Sequence, residues 1–389
     1  MKYVNDRYHT NSVKWDGLET FFGASDALPM WVADMDFLSP APVIEALKKR
    51  AADGIFGYSL PSDSYYHSIM NWMDRRHNWK IEKDWIVNCP GVVPALSLIV
   101  QEFTDPGDKV IIQTPVYPPF HSVVKDFGRE LVVNPLQLQD GTYEIDFEDL
   151  KAKIDENVKM LIFCSPHNPV GRVWTKQELE KLADMCVQHN ILLVSDEIHA
   201  DLVYENHTHI PVATISEEIQ NLSIICTAPS KTFNIAGLHS ANIIIPNKKI
   251  RTKFKNCIQR YHIGSISPFS LVATEAAYNE GEEWLHDCLQ YMKENIKYVE
   301  HYIKTYLPAL HVIVPEGTYL LWIDFRNLGM QPKELAAFLL KEAKLALNEG
   351  STFGIEGVGF MRMNIACSYE LIQQALVQLR DAIQNRVVK

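Results

Sequence analysis

Strand-like and helix-like segments alternate along the middle of this chain, from about residue 90 to residue 245. Between two of the strand-like runs, residues 175–189 have the apolar spacing of a helix, and Thr175 with Glu178 forms a capping box at its start. The strand-like runs are short and apolar: residues 109–113, 160–164, 191–195 and 223–227. Such alternation implies parallel strands with helices on both faces of the sheet. We therefore predict an α/β domain whose ligands bind at the carboxyl ends of its strands.

The pattern changes near residue 285. A long helix-like stretch covers residues 284–306 and ends before Pro308, and shorter strands follow at residues 310–314 and 319–324. Two further helix-like stretches come after these strands. This order of elements indicates a second, smaller α+β domain.

The overall charge and the cysteine pattern exclude several classes of protein. The 389 residues carry a net charge of -11, which repels nucleic acids and anionic membranes. No apolar run approaches the length of a membrane span, and residues 1–7 contain no apolar signal region. The seven cysteines are scattered without any Cys-x-x-Cys pair, as in proteins of a reducing compartment. We expect a cytoplasmic protein without nucleic-acid or membrane partners.

Ser230, Lys231 and Thr232 closely follow the last of the strand-like runs. A lysine in a loop after a buried strand can reach into a cleft and condense with an aldehyde. A neighbouring serine can hold the phosphate of the same ligand, which suggests pyridoxal phosphate. The alternative is a solvated lysine between two helix-capping hydroxyl residues, which so short a motif does not exclude.

Two carboxylates, Asp196 and Glu197, follow another strand-like run. Asp196 is expected near the floor of the cleft, where a buried carboxylate needs a cationic or hydrogen-bonding partner. A protonated pyridine nitrogen would be such a partner, and the ring would then act as an electron sink. His199 could contact Asp196 and fix the orientation of its carboxylate. The alternatives are a salt bridge for Asp196 or a metal site with His199, but no spacing such as His-Glu-x-x-His occurs, so we expect no metal.

Four other positions suit the same ligand. Residues 91–96 open an apolar helical stretch, and the free N–H groups at its start suit a phosphate. Asn168 follows a strand and could donate to a ring oxygen, and Tyr117 stands between prolines and could stack on a flat cofactor. Arg362 lies in an apolar run, where it would pair with a carboxylate of the protein or of an amino acid. Taken alone, residues 91–96 are more often an ordinary helix start, and Asn168 and Tyr117 are more often parts of ordinary turns. The alternative for Arg362 is a structural ion pair.

Together, these motifs resemble the fold-type I pyridoxal-phosphate enzymes of the aminotransferase superfamily, along almost the whole chain and in the same order. The resemblance is closest to the MalY/PatB group of cystathionine β-lyases, also called C–S lyases. It rests on residues 30–37 (MWVADMDF), 55–58 (IFGY), 166–169 (PHNP), 195–199 (SDEIH) and 228–234 (APSKTFN). It implies a large domain at residues 46–283 with a mostly parallel seven-stranded sheet, and a small α+β domain made of residues 1–45 and 284–389.

The resemblance also implies a role for each candidate residue. Lys231 would bind the aldehyde of pyridoxal 5′-phosphate and act as the catalytic base. Asp196 would pair with the pyridine nitrogen, and Asn168 would bind the phenolate oxygen. Tyr117 would stack on the ring, and the phosphate would be bound by Val92, Val93 and Ser230. Arg362 would clamp the substrate carboxylate, and Asn168 and Tyr58 would also contact the substrate. Tyr58 would reach the neighbouring site of a homodimer, where it would contact the cofactor, as would His199 in its own site. Asp196 and Tyr117 would take part in catalysis together with Lys231.

The chain departs from many aminotransferases at two positions. His239 stands where they have a phosphate-binding arginine, so one permanent cation fewer faces the phosphate. His199 stands where they often have a tyrosine, as is usual in the lyase group. The contribution of His239 stays open at this point. The peptide bond between Asn168 and Pro169 is expected to be cis, as in relatives.

The reaction implied by the resemblance is α,β-elimination from an amino-acid thioether such as L-cystathionine, which releases a thiol, pyruvate and ammonia. An aminotransferase would share the residues named here, so the motifs barely separate the two activities. A third interpretation is a regulatory protein that binds the cofactor, and intact Lys231, Asp196 and Arg362 argue against a dead site. The sequence does not determine the preferred thioether.

Overall fold

The strands among the described residues form one large sheet and three smaller ones. The computed structural model describes residues 1–2 and 6–387. Residues 3–5, part of the N-terminal stretch considered above, lie outside the described residues. The strands are β1 (Leu28–Pro29), β2 (Ile86–Cys89), β3 (Lys109–Ile112), β4 (Glu130–Val133), β5 (Gln137–Gln139), β6 (Thr142–Glu144), β7 (Val158–Cys164), β8 (Leu192–Asp196), β9 (Ser223–Thr227), β10 (Ala241–Ile244), β11 (His311–Ile313), β12 (Leu320–Asp324), β13 (Leu345–Ala346), β14 (Asn348–Glu349) and β15 (Phe360–Asn364).

Helices separate most of these strands. The predicted capping box is present: Glu178 N donates to Thr175 Oγ1, and Thr175 N donates to Glu178 Oε2. The α-helices are α1 (Val13–Asp16), α2 (Leu18–Phe22), α3 (Ala41–Ala52), α4 (Asp63–His77), α5 (Val92–Phe103), α6 (Pro119–Lys125), α7 (Phe147–Lys153), α8 (Lys176–Gln188), α9 (Glu217–Asn221), α10 (Pro229–Thr232), α11 (Lys248–Arg260), α12 (Pro268–Glu280), α13 (Glu282–Tyr306), α14 (Pro332–Lys341) and α15 (Tyr369–Val387). Within residues 1–2 and 6–387, none of the helices combines the length and the apolar character that crossing a membrane requires.

The large sheet has the strand order β2-β10-β9-β8-β7-β3-β4. Only β10 runs antiparallel to its neighbours, so the prediction of a mostly parallel seven-stranded sheet is confirmed. The four strand-like runs of the sequence correspond to β3, β7, β8 and β9, with ends that differ by at most two residues.

Both faces of this sheet are covered by apolar packing. Successive side chains of a strand point to opposite faces, and in β7 Phe163 belongs to one apolar core while Ile162 belongs to the other. Leu182 of α8 packs into the first core and Ile99 of α5 into the second. Because apolar side chains fill both faces, polar groups with a chemical role are left to the carboxyl ends of the strands.

The smaller α+β part is built around a four-stranded antiparallel sheet with the order β11-β12-β15-β14. Strand β1 pairs in parallel with β13, so the N-terminal segment lies against residues from the last part of the chain. The predicted strands at residues 310–314 and 319–324 correspond to β11 and β12, and the long helix at residues 284–306 corresponds to α13. The domain boundaries at residues 46 and 284 stay a prediction.

Residues 315–317 pack directly against the backbone of Gly171. The carbonyl oxygen of Gly171 accepts hydrogen bonds from Glu316 N at 2.9 Å and from Gly317 N at 3.0 Å. Gly171 has a φ of +73°, and a Cβ at this position would lie 2.5 Å from Pro315 Cβ. Only glycine combines this left-handed conformation with so close an approach.

Gly171→Ala should therefore destabilise the protein more than Gly128→Ala. Both glycines have a φ of +73°, but nothing lies within 4 Å of a Cβ built at Gly128. Both variants should lose about 1–2 kcal/mol through left-handed strain. Crowding against Pro315 should cost Gly171→Ala about 1–3 kcal/mol more. Thermal unfolding of the two variants measures this difference, and equal midpoints would contradict the clash.

Candidate active site

The carboxyl ends of β7, β8 and β9 and the start of α5 surround a cavity of about 400 Å³. Among the residues that line it are His239, Ser240 and Ile198. The structure also brings eight of the predicted site residues together on its wall: Val92, Val93, Tyr117, Asn168, Asp196, His199, Ser230 and Lys231. These residues come from segments that are far apart in the sequence, and the parallel sheet collects them at one edge.

Lys231 lies in the short helix α10, directly after β9. Its Nζ donates to the carbonyl oxygen of Ala33 at 2.6 Å. Burial of the ammonium group, together with the positive charge of Arg362, lowers the pKa of Lys231 to about 8. An amine with this pKa is partly neutral near pH 8, so it can attack an aldehyde or accept a proton.

Asp196 is the last residue of β8 and is buried. Its Oδ1 accepts a hydrogen bond from Ile198 N at 3.1 Å. Burial raises the pKa of Asp196 to about 7, because removal of water disfavours the ionised carboxylate. Within the described part of the chain Asp196 forms no ion pair, so a cation brought by a ligand would stabilise its charged form.

The start of α5 lies at another side of the cavity. Gly91 precedes the helix and makes no side-chain cap, and Val92 and Val93 supply backbone N–H groups of the first turn. These N–H groups have no partner within the helix, and the helix dipole favours an anion near them. Ser230 and His239 line the same cavity, and His239 has a left-handed φ of 53°.

Arg362 is buried in the middle of β15 and is bound to amide groups rather than to a carboxylate. Its Nη1 donates to Asn168 Oδ1 at 3.0 Å, and its Nη2 donates to Asn348 Oδ1 at 2.7 Å. Its Nε is buried without a partner among the described residues. Burial lowers the pKa of Arg362 to about 10. The guanidinium therefore keeps its charge at pH 7 and retains the capacity to bind an anion.

Tyr117, Asn168 and His199 complete the predicted group. Tyr117 N donates to the carbonyl oxygen of Asn168 at 3.1 Å, and the peptide bond between Asn168 and Pro169 is cis, as predicted. Burial and the charges of Lys231 and Arg362 lower the pKa of His199 to about 3, so its ring is neutral at pH 7.

The structure does not place His199 as the sequence suggested. We expected His199 to orient Asp196, but no hydrogen bond joins these two side chains in the described structure. The buried Nδ1 of His199 has no partner among the described residues, and the ring makes an edge contact with Tyr319. His199 therefore faces the ligand cavity rather than supporting Asp196.

Tyr58 lies outside this cavity. It belongs to the irregular segment between α3 and α4, and its side chain is fully exposed in the single chain. Ile55 and Leu60 of the same segment are 75% and 90% exposed. A role for Tyr58 in its own chain's site is excluded by this placement, and its role in a neighbouring site stays a prediction.

The backbone of residues 31–37 supplies acceptors to the site that the residue types of the sequence did not indicate. Ala33 O accepts from Lys231 and from Tyr319 Oη, and Trp31 O accepts from Arg362. Asn364 Nδ2 donates to the carbonyl oxygens on either side of Ala33. Only the family resemblance pointed to residues 30–37, because backbone acceptors leave no signal in residue types.

The residues present fit pyridoxal 5′-phosphate. Lys231 has the lowered pKa that an aldehyde-binding amine needs, and the buried carboxyl of Asp196 has a single backbone donor and lacks an ion-pair partner among the described residues. A protonated ring nitrogen would complete the surroundings of Asp196. The phosphate would be held by the first turn of α5 and by Ser230. The unpartnered Nε of Arg362 remains for the carboxylate of a substrate.

Known proteins resemble this chain along nearly its full length. The family model for aminotransferase class I and II matches residues 27–379. Cystathionine beta-lyase PatB of Bacillus subtilis (strain 168) is 45% identical over 379 residues, which cover 97% of this chain and 98% of PatB.

Two solved structures share the fold closely. A PLP-bound putative aminotransferase from Clostridium difficile 630 has a TM-score of 0.96 and 48% identity, with 98% of each chain covered. Cystalysin from Treponema denticola, which contains a pyridoxal 5′-phosphate cofactor, has a TM-score of 0.95 and 40% identity, with 99% of this chain and 100% of cystalysin covered. The resemblance predicted from the sequence is thus confirmed, and this chain belongs to the aminotransferase class I and II family of pyridoxal-phosphate enzymes, in the same group as PatB.

Proposed function

We propose that this protein is a pyridoxal-phosphate-dependent carbon–sulfur β-lyase. It cleaves L-cystathionine and related cysteine thioethers by α,β-elimination, and the products are homocysteine or another thiol, pyruvate and ammonia. The observation that carries this proposal is the arrangement of Lys231, Asp196 and Arg362: a partly neutral amine and a carboxyl face one cavity, and an arginine free of any described carboxylate lies beside it. The name of PatB, a cystathionine β-lyase, gives the class of substrate.

Binding and proton transfer fall to this chain's own residues. Arg362 holds the α-carboxylate of the amino acid and so fixes its Cα near Lys231. Lys231 Nζ accepts the Cα proton, which its lowered pKa favours. Pyridoxal phosphate, when bound, supplies the electron sink that stabilises the charge left on Cα. Asp196 keeps the proton on the ring nitrogen, which strengthens that sink.

Asn168 and Tyr117 orient the ring. Asn168 Oδ1 accepts from Arg362, so its Nδ2 is the atom left to donate to the phenolate oxygen. Tyr117 lines the same cavity and offers an aromatic face for stacking. A link between Arg362 and Asn168 also means that the substrate-binding and ring-binding groups hold each other in place.

The second candidate is an aminotransferase. The Clostridium difficile structure carries that description at 48% identity, and the family model is named for this activity. The residues of the site serve both reactions up to removal of the Cα proton. The two reactions differ in their products and in their need for a keto acid, so a product assay separates them.

The active form is proposed to be a homodimer in which Tyr58 enters the site of the partner. Ile55, Phe56, Tyr58 and Leu60 are large apolar or aromatic residues that stand exposed together in one irregular segment. Contiguous exposed apolar surface of this kind marks a protein interface. A second copy of the chain is the partner that the family resemblance implies.

A cytoplasmic location is also proposed. All seven cysteines are free and buried, and none of them pairs with another. Disulfides are rare in the cytosol, where thiols are kept reduced.

The wild-type protein is expected to release thiol, pyruvate and ammonia in equal amounts from L-cystathionine with no keto acid present. Elimination produces one of each per turnover, whereas transamination produces none of them. Lys231→Ala should lower the rate of elimination by about 10²–10⁴-fold, because the base is lost. Turnover that requires 2-oxoglutarate and yields no thiol would replace the lyase proposal by the aminotransferase.

Arg362→Lys should weaken use of L-cystathionine although it keeps the positive charge. Lysine cannot bind a carboxylate with two parallel hydrogen bonds, and a hydrogen bond to a charged group contributes about 1.5–3 kcal/mol. We therefore expect kcat/KM to fall roughly 10- to 100-fold. The control is Arg326→Lys, an exposed arginine that pairs with Asp324, which should leave kcat/KM unchanged. Equal kcat/KM in both variants would exclude the carboxylate-binding role.

Mixing Tyr58→Ala and Lys231→Ala subunits should restore activity that neither variant has alone. A mixed dimer contains one site with both an intact Lys231 and an intact Tyr58 from the partner. Random exchange of subunits should therefore restore up to about a quarter of wild-type activity. Full activity of the wild-type protein as a monomer in sedimentation would contradict the shared site.

A further inference from the structure

A buried carboxylate, Asp201, binds the residue that follows Lys231. Asp201 lies in the turn after β8 and its side chain is almost completely buried. Its Oδ2 accepts from Thr232 Oγ1 at 2.7 Å, and its Oδ1 accepts from Trp72 Nε1 at 3.0 Å and lies 2.8 Å from His77 Nε2. Although burial opposes ionisation, the hydrogen bond and charge of His77 hold the pKa of Asp201 below its usual value. Asp201 is thus a charged acceptor at neutral pH.

This carboxylate joins two separate parts of the fold. Trp72 and His77 belong to α4, whereas Thr232 is the last residue of α10. Hydrogen bonds to a charged partner are stronger than neutral ones. Asp201 therefore anchors the end of α10 to the long helix α4.

The anchor matters because α10 is a single turn of four residues, Pro229–Thr232. So short a helix has little stability of its own, and its geometry depends on tertiary contacts. Thr232 is fully buried, and the next residue, Phe233, packs edge-on against Trp72 at a centroid distance of 5.4 Å. Lys231 thus precedes two residues that are fixed against the same helix.

At its other end the Lys231 side chain is held by Ala33 O, a single neutral acceptor. The direction in which Lys231 leaves the backbone follows from the position of α10. Removal of the bond between Asp201 and Thr232 would let this turn shift together with Ser230, while the cavity residues outside α10 stay in place. Misplacement of a reacting group by about 1 Å can cost roughly 10²-fold in rate.

We propose that Asp201 is a positioning residue, which acts through Thr232 to fix the direction of Lys231 into the cavity. The inference rests on the proposed function, which makes Lys231 the reacting amine. Asp201 does not line the cavity, so it contacts neither substrate nor cofactor and acts only through its neighbour.

The test compares Thr232→Val with Thr232→Ser in the protein loaded with pyridoxal phosphate. Valine keeps the volume of threonine and removes the hydroxyl group that Asp201 accepts from. We expect kcat for L-cystathionine to fall about 10- to 100-fold, with KM changed by less than about twofold. The pH midpoint of the visible absorbance of the bound cofactor should shift by about half a pH unit or more. Thr232→Ser keeps the hydroxyl and should stay near wild type in kcat and midpoint.

Thr104→Val is the matched control. Thr104 is a buried threonine whose hydroxyl accepts from Arg129, and it lies outside the cavity lining. Its substitution should lower stability without moving kcat or the absorbance midpoint. If Thr232→Val does not fold, Asp201→Asn weakens the same bond, and it should change kcat and midpoint in the same direction.

The proposal would be overturned if Thr232→Val kept both the wild-type kcat and the wild-type absorbance midpoint. If Thr232→Val does not fold, the same result in Asp201→Asn would overturn it. The absorbance midpoint is measured without any thioether. A wild-type protein that binds the cofactor but leaves L-cystathionine intact would therefore refute the proposed function alone, and the midpoint shift would still decide the role of Asp201.

Discussion

Carbonyl oxygens of one short N-terminal segment hold both of the buried cations of the site. Ala33 O accepts from Lys231 Nζ at 2.6 Å, and Trp31 O accepts from Arg362 Nη2 at 3.0 Å. A carbonyl oxygen carries only a partial negative charge, so it orients a cation without neutralising it. A carboxylate at either position would form an ion pair and compete with an anionic ligand. Backbone acceptors thus keep Lys231 and Arg362 both oriented and available.

A buried ion pair between Lys14 and Asp36 holds the same N-terminal segment, residues 31–37, in place. Asp36 accepts from Lys14 Nζ at 2.8 Å and from Trp15 Nε1 at 3.0 Å, and all three side chains are buried. Removing Asp36 would leave the buried ammonium of Lys14 without its close carboxylate partner, and the loss of such a partner strongly destabilises a protein. Asn234 adds hydrogen bonds to the backbone of Met35 from the loop that follows Lys231. The N-terminal segment, the lysine-bearing turn and β15 therefore depend on one another.

Two adjacent carboxylates, Asp196 and Glu197, show how the surroundings of a side chain decide its chemistry. Asp196 faces the cavity with one backbone donor, and burial raises its pKa to about 7. Glu197 points away from the cavity, where its oxygens accept from Ser195 Oγ at 2.9 Å and lie 2.9 Å from His209 Nε2. Alternation of side chains at the end of β8 separates the two. His209 lies in a polar stretch of the sequence, yet the structure buries it against Glu197.

The sequence by itself determined the local elements and the residue types of the site. The apolar runs fixed β3, β7, β8 and β9, the Thr175–Glu178 box fixed the start of α8, and Lys231 and Asp196 stood after strands whose carboxyl ends meet at one edge. These signals are short-range, because they follow from periodicity, capping and strand direction. Only the tertiary structure decided that Arg362 binds Asn168 rather than a carboxylate, that Ala33 O holds Lys231, and that Asp201 holds Thr232. The first two of these contacts join residues that are 194 and 198 positions apart. Contacts between residues so far apart in the sequence depend on how the whole chain packs, because packing sets which side chains are buried and where they point. No local sequence pattern encodes them.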